Sequence, residues 1–458
     1  MKYLLKQGMV VSGTGHQVMD ILLENGKIKE VASCIHADDA EVLDLNGKIV
    51  FPGFIDAHTH FDLEVSGTVT ADDFYSGTKA AISGGTTLII DFATQNKGET
   101  LKEALQNWHK KADGQASCDY AFHMAISDWN EETARQISDM MEQGVSTFKL
   151  YMTYPAMRLH DGELYEALKT IREAGGIAGV HCENADVIDA LTKEAKNAGH
   201  LDCSTHPRVR PAGLEAEAVD RLLTIAKLAD TAVIVVHLTS VPAYEVICRA
   251  REKGQMVFAE TCPQYLLLDD SLYEKGGLEG SKYVCAPPLR GKEDQNCLWT
   301  ALKEDRIQTI GTDHCSFTMK QKAVGKDDFT KIPNGMPGTE TRGPLLYTYG
   351  AGAGKITLEQ MCRLLAENPA KLYGIYPQKG CLSPGSDGDI VILDPHKEGM
   401  ITAKSQESKA DYVPFEGWKL TGCIDKVFLR GNLVVNNGSI VMERQGVYTP
   451  RQTYRTDF

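Results

Sequence analysis

Between residues 51 and 375, eight short β-prone runs alternate with stretches whose apolar and charged residues recur at helical spacing, and this alternation constrains the fold more than anything else in the chain. The runs are Phe54–Asp56, Thr86–Phe92, Tyr120–Ile126, Thr147–Met152, Ile177–His181, Ala232–His237, Met256–Thr261 and Ile307–Thr312; Glu131–Gln143, Gly162–Ala174, Leu214–Leu228 and Val241–Lys253 are among the helical stretches. Strands separated by helices pair in parallel, because the helix is the crossover that brings the chain back to the same edge. No GxGxxG follows the first run, and eight βα units predict an α/β fold of the TIM (β/α)8 barrel type rather than an open Rossmann sheet. The connections 94–101 and 316–338 are expected to act as lids.

Both ends of the chain have a different texture. Lys2–Val11, Asp20–Glu24, Lys27–Ala32 and Val42–Val50 are short β-runs punctuated by Asn25-Gly26 and Asn46-Gly47; Ile390–Leu393, Lys426–Leu429, Asn432–Val435 and Ser439–Met442 are punctuated by Gly431-Asn432 and Asn437-Gly438. Asn-Gly pairs between β-runs are hairpin signals. Neither end carries enough strand to bury two faces alone, so residues 1–50 and 380–458 are expected to form one small β-sandwich beside a catalytic barrel at 51–379.

A net charge of −14 repels phosphate backbones and anionic bilayers, which disfavours nucleic-acid and membrane partners. No 18-residue apolar run follows an amino terminus that itself reads as a strand, and none of the 12 cysteines stands in a CxxC pair. A cytoplasmic protein with reduced thiols is the expectation, and cysteine metal sites lose support.

In a barrel, all strand C-termini open on one face. The first run leads into His58-Thr59-His60, where the two-residue period of a strand puts both imidazoles on one side. The fifth run stops at His181, the sixth at His237, and the eighth at Asp313. A single strand-end histidine is at home as a hydrogen-bonded core residue. Packing gives no reason for four to gather on one rim, and Asp313 beside them is placed either to bind a metal or to move a proton. His314 is expected to face away by alternation. Lys149 lies in the otherwise apolar fourth run, where desolvation favours a neutral amine able to add CO2 as an anionic carbamate.

These residues sit in segments that resemble the dihydropyrimidinase and hydantoinase family of the amidohydrolase superfamily. They are Phe51-Pro-Gly-Phe-Ile-Asp-Ala-His-Thr-His60, Gly84-Gly-Thr-Thr87, Phe148-Lys-Leu-Tyr-Met-Thr-Tyr154, His181-Cys-Glu-Asn184, Glu260-Thr-Cys-Pro-Gln-Tyr265, Pro287-Pro-Leu-Arg290, Thr312-Asp-His-Cys315 and Pro333-Asn-Gly-Met-Pro-Gly338. The resemblance runs over nearly the whole chain. It implies two zinc ions, with His58 and His60 on one, His181 and His237 on the other, carboxylated Lys149 bridging and Asp313 completing the first site. Manganese, cobalt and iron suit the same donors. It further implies that Asp313 moves the proton, that Tyr154 donates to the developing oxyanion, and that main-chain groups at Ala286 and Asn334 hold a cyclic ureide or imide. Many relatives have Ser where this chain has Ala286. Leu63, Val65 and Met157 are analogous to residues that shape the pocket for the exocyclic substituent, and the assembly implied is a homotetramer.

The implied activity is hydrolytic opening of hydantoin or dihydropyrimidine rings to N-carbamoyl amino acids. Dihydroorotase-like chains place an Arg shortly after the His-x-His; Phe61-Asp62-Leu63 stands here instead. Alternatives are an allantoinase-like enzyme and a non-catalytic scaffold of the dihydropyrimidinase-related type, the latter opposed by the intact set of six ligand-type residues. Cys182, Cys262, Cys285 and Cys315 beside the motifs read as small packing groups.

Overall fold

The computed structural model describes residues 2–457. Its centre is eight parallel strands, Phe54–Thr59, Thr86–Thr94, Asp119–Ala125, Thr147–Tyr151, Ile177–His181, Val233–Val235, Val257–Thr261 and Thr309–Ile310, hydrogen-bonded in chain order. Helices follow the strands, including Leu101–Ala112, Glu131–Glu142, Asp161–Glu173, Ala212–Leu228 and Val241–Glu252. Local chemistry sets their starts: Thr100 and Glu103 form a reciprocal capping box, and Asn130 accepts the N–H groups of Glu132 and Thr133.

The barrel interior is filled by Ile55, Leu88, Ile90, Ala121, Ile177, Ile234 and Phe258, which pack with Leu372, Tyr373 and Ile375. Between the first and eighth strands the sheet is joined by side chains as much as by backbone. His60 N–H donates to His314 O at 2.8 Å. Fully buried Arg342 donates through Nη1 to Ile55 O and Ile310 O, each at 2.7 Å, and through Nη2 to Thr86 Oγ1 at 3.1 Å.

The terminal strands form a separate nine-stranded sheet that interleaves both ends of the chain: Ile49–Pro52 lies between Lys2–Val11 and Ile390–Met400. Tyr3 and Phe428 sit three strand spacings apart in that sheet, about 14 Å if it were flat, yet their ring centroids are 5.1 Å apart. The sheet therefore coils back on itself, and Leu5, Ile21, Val50, Ile390 and Ile392 fill the space enclosed.

Asn25-Gly26, Arg430-Gly431 and Asn437-Gly438 are tight hairpin turns with both central residues left-handed. The second differs from expectation only in using Arg430-Gly431 rather than Gly431-Asn432. Asn46-Gly47 makes no hairpin. Glu41–Asp44 and Ile49–Pro52 on either side of it both run parallel to Lys2–Val11, and only Gly47 of the pair has positive φ, so the two-residue reversal is never formed. No helix among the described residues is long and apolar enough to cross a membrane.

Candidate active site

A cavity of about 490 Å3 opens at the carboxyl ends of the barrel strands. All nine site residues singled out in the sequence line it: His58, His60, Lys149, His181, His237 and Asp313, with Tyr154, Ala286 and Asn334. Gln95 and Asn96 from the connection after the second strand and Gly335 from the 316–338 segment form part of its wall, as do Leu63, Val65 and Met157.

Asp313 is the centre of the first cluster. Its Oδ1 lies 3.3 Å from His58 Nε2 and 3.2 Å from His60 Nε2, and one donor atom from each of the three residues falls within 4.8 Å of the others. The His237 ring continues the arc, 5.4 Å from that of His58 and 4.4 Å from that of His181. Tyr154 follows, its ring edge-on to His181 at 5.3 Å. Three of these residues hold left-handed backbone, Tyr154 at φ 64°, His237 at φ 39° and Asp313 at φ 51°. Non-glycine residues there cost about 1–3 kcal/mol each, strain that the surrounding structure sustains at functional positions.

Electrostatics favour neutral imidazoles at His60 and His237 and an ionised acid at Asp313. Burial pulls His60 down to about 4, and burial with the neighbouring His181 and Lys149 carries His237 well below the ordinary histidine value. Burial alone pushes Asp313 up, but His58, His60 and His237 outweigh it and hold the carboxyl well below its usual range. Lys149, 1% exposed, is brought down to about 8 by desolvation. Its Nζ lies 5.2 Å from the Phe92 ring centroid and 5.4 Å from that of Tyr151.

Donor chemistry fits cations. His58 Nε2, His237 Nδ1 and Lys149 Nζ are buried without a hydrogen-bond partner, an arrangement that costs stability unless something outside the chain completes it. His58, His60 and Asp313 make a cluster able to hold a metal ion.

Supporting residues escaped the sequence reading. Glu260, at the end of the seventh strand, accepts from His58 Nδ1 at 2.6 Å. Glu183 pairs with His181 Nε2 at 2.7 Å and receives Arg210 Nη1 at 2.7 Å; the Arg210 guanidinium overcomes the effect of burial and keeps Glu183 down at about 2. A usable signal existed for Glu260, an acid ending a run of β-prone apolar residues as Lys149 interrupts one. Phe92, read in the sequence only as the end of the second β-prone run, faces His58, His60 and Lys149 with its ring. His314 turns away from the cavity: its Nδ1 accepts Gly338 and Thr339 N–H, so Nε2 carries the proton given to Asp72 at 3.0 Å. Cys182, Cys262 and Cys315 are buried with thiol pKa values driven up by desolvation, and Cys285 is pushed up to about 12.

Residues 49–434 match the amidohydrolase family, and the chain belongs to it. Within that family it is 45% identical to a D-hydantoinase of Geobacillus stearothermophilus over 99% of this chain and 97% of the relative, and 41% identical to a D-hydantoinase of Streptomyces coelicolor over 98% of each. The crystal structure of a dihydropyrimidinase from Brevibacillus agri superposes with a TM-score of 0.98 at 42% identity, covering 100% of both chains.

Proposed function

We infer that the chain is a cyclic amide hydrolase that opens hydantoin or dihydropyrimidine rings to N-carbamoyl amino acids. The observation that carries this reading is the gathering of four imidazoles, one lysine and one carboxylate from five barrel strands around one cavity, with buried donor atoms left unpaired. The hydantoinase and dihydropyrimidinase relatives, similar over the whole chain, support the ring class. A scaffold without catalysis has no need for this costly set.

Two zinc ions are the proposed cofactors: His58, His60 and Asp313 would hold the first, His181 and His237 the second, and Lys149, once carboxylated, would be a ligand shared by both. When bound, divalent cations supply Lewis acidity toward the scissile carbonyl and a water of lowered pKa. Lys149 is suited to carboxylation because its amine is buried, unpaired and easily neutral. Asp313, ionised among the imidazoles, takes a proton from the attacking water as the C–O bond forms. It returns that proton to the ring nitrogen as the C–N bond breaks. Tyr154, whose hydroxyl burial keeps protonated, donates to the carbonyl oxygen as charge gathers there. Among the described residues nothing hydrogen-bonds the main chain of Ala286 or Asn334, which leaves those groups for the N–H and C=O edge of the ring.

A cytoplasmic homotetramer acting on small ureides completes the proposal. The test is a panel of 5-substituted hydantoins, dihydrouracil, allantoin and dihydroorotate at matched concentrations, with zinc measured in parallel. Turnover of hydantoins or dihydrouracil supports the reading; turnover confined to allantoin or dihydroorotate, or none with zinc bound, removes it.

A further inference from the structure

The 316–338 segment buries a charge that the ring-opening chemistry does not use. Lys322 ends the short helix Met319–Lys322 and is 0% exposed. Its Nζ donates to Val284 O at 2.9 Å, Pro333 O at 2.8 Å and Gly335 O at 2.7 Å. Among the described residues no carboxylate pairs with it, and the Phe317 ring centroid lies 5.6 Å away. Burying an ammonium among neutral groups is unfavourable, and an apolar side chain of similar length would fill the space without that penalty. What the lysine has in return is three carbonyl dipoles, one for each N–H.

Those carbonyls surround the two stretches of main chain left open to the cavity. Pro333 and Gly335 flank Asn334, and Val284 lies two residues before Ala286. Gly335 N–H also donates to Val284 O at 3.0 Å, so the Lys322 ammonium reinforces a contact already joining the two stretches. Gly335 itself has φ 144°, and a Cβ there would stand 2.3 Å from Cys315 O, which leaves the loop one close-fitting path. The amide edge of a ring presents a donor and an acceptor at fixed spacing, so main chain that recognises it must be held to within a fraction of an ångström.

We propose that Lys322 is a positioning residue for substrate binding: its three N–H donors clamp the main chain of the Ala286 and Asn334 segments in the geometry that receives the cyclic amide edge. The inference rests on the ring-opening reading and deepens it by assigning what holds the binding edge, as distinct from what reacts.

The experiment compares wild type, Lys322→Met and Lys322→Arg as zinc-loaded full chains, with steady-state kinetics on a 5-substituted hydantoin and on dihydrouracil and with zinc content measured on each. In Lys322→Met, kcat/KM falls about 100-fold, the order expected for misplacing a bound group by an ångström, and the loss is carried mainly by KM while zinc content stays at the wild-type value. Lys322→Arg, which keeps a charge and several donors, recovers part of the KM. An unchanged KM in Lys322→Met overturns the inference, as does a loss confined to kcat or accompanied by loss of zinc. If Lys322→Met does not fold, Lys322→Gln, with two N–H donors, is judged by the same criteria. A wild-type chain that opens neither ring removes the parent reading and this inference with it, whereas an active wild type beside an unaltered Lys322→Met removes this inference alone.

Discussion

Glu260 Oε1 accepts the Nδ1 proton of His58 at 2.6 Å, with neither side chain more than 1% exposed. The contact fixes the imidazole tautomer, so the Nε2 lone pair points toward Asp313 and the cavity. Carboxylates behind a ligating histidine typically contribute 10- to 100-fold in metal affinity, so Glu260→Gln is expected to lose zinc to a competing chelator at about 10–100 times lower chelator concentration. Equal retention of zinc in both proteins would leave Glu260 with a packing role only.

Lys149 stands on the fourth barrel strand with an unpaired Nζ between Phe92 and Tyr151. Lys149→Ala removes the group proposed to join the two cations, so elemental analysis should find zinc lost and activity gone. Short carboxylic acids supplied in solution are expected to restore part of both by occupying the space of the carbamate. Full activity with two zinc ions still bound would contradict the bridging role.

What could be read from the sequence, and what could not, follows from the range of the interactions involved. His58, His60, His181, His237 and Asp313 were legible because parallel strands share one open end, so a residue's place along its own strand already says where it faces. Lys149 was legible because a charge inside an apolar run is locally anomalous. Glu260 acts through a partner 202 residues away, and Arg342 through Ile55 and Ile310; no periodicity records either contact. The same holds for residues 446–455, which lie along the barrel through backbone hydrogen bonds to Ala116, Tyr120, Gly144, Gly374 and Lys371 and carry no strand pattern of their own. Asn46-Gly47 shows the converse case, a correct local turn signal overridden because the first strand of the chain offers parallel partners to both flanks.

Tyr154 combines a left-handed backbone with a ring set against His181 and the Arg210 guanidinium, 5.8 Å from its centroid. Loss of one oxyanion donor raises the barrier by about 2.7–4 kcal/mol. Tyr154→Phe keeps the ring contacts, so kcat is expected to fall about 100- to 1,000-fold with zinc content intact. Wild-type kinetics in this variant would take the hydroxyl out of the reaction.

Arg342 closes the barrel seam from a fully buried position, its Nη1 shared by the carbonyls of Ile55 and Ile310. Arg342→Met leaves both carbonyls without that donor, and an unsatisfied buried polar group costs about 1–3 kcal/mol. Equilibrium or kinetic unfolding in denaturant should show a loss of about 3 kcal/mol or more, and stability within experimental error of wild type would mean that backbone contacts alone hold the seam.

Glu340 accepts the N–H of Glu407 at 2.8 Å, and burial, reinforced by the nearby charges of Glu407 and Asp72, pushes its carboxyl up to about 8. The folded chain therefore keeps a proton that the unfolded chain releases near pH 4.3, the ordinary glutamate value, so this group's contribution is fully present below about pH 4 and is lost as pH rises through 8. Glu340→Gln retains an acceptor for Glu407 and cannot ionise. Thermal unfolding from about pH 5 to about pH 9 should thus show the variant gaining on wild type steadily as pH increases. A difference in Tm that stays constant over that range would mean that the Glu340 carboxyl is already ionised at its lower end.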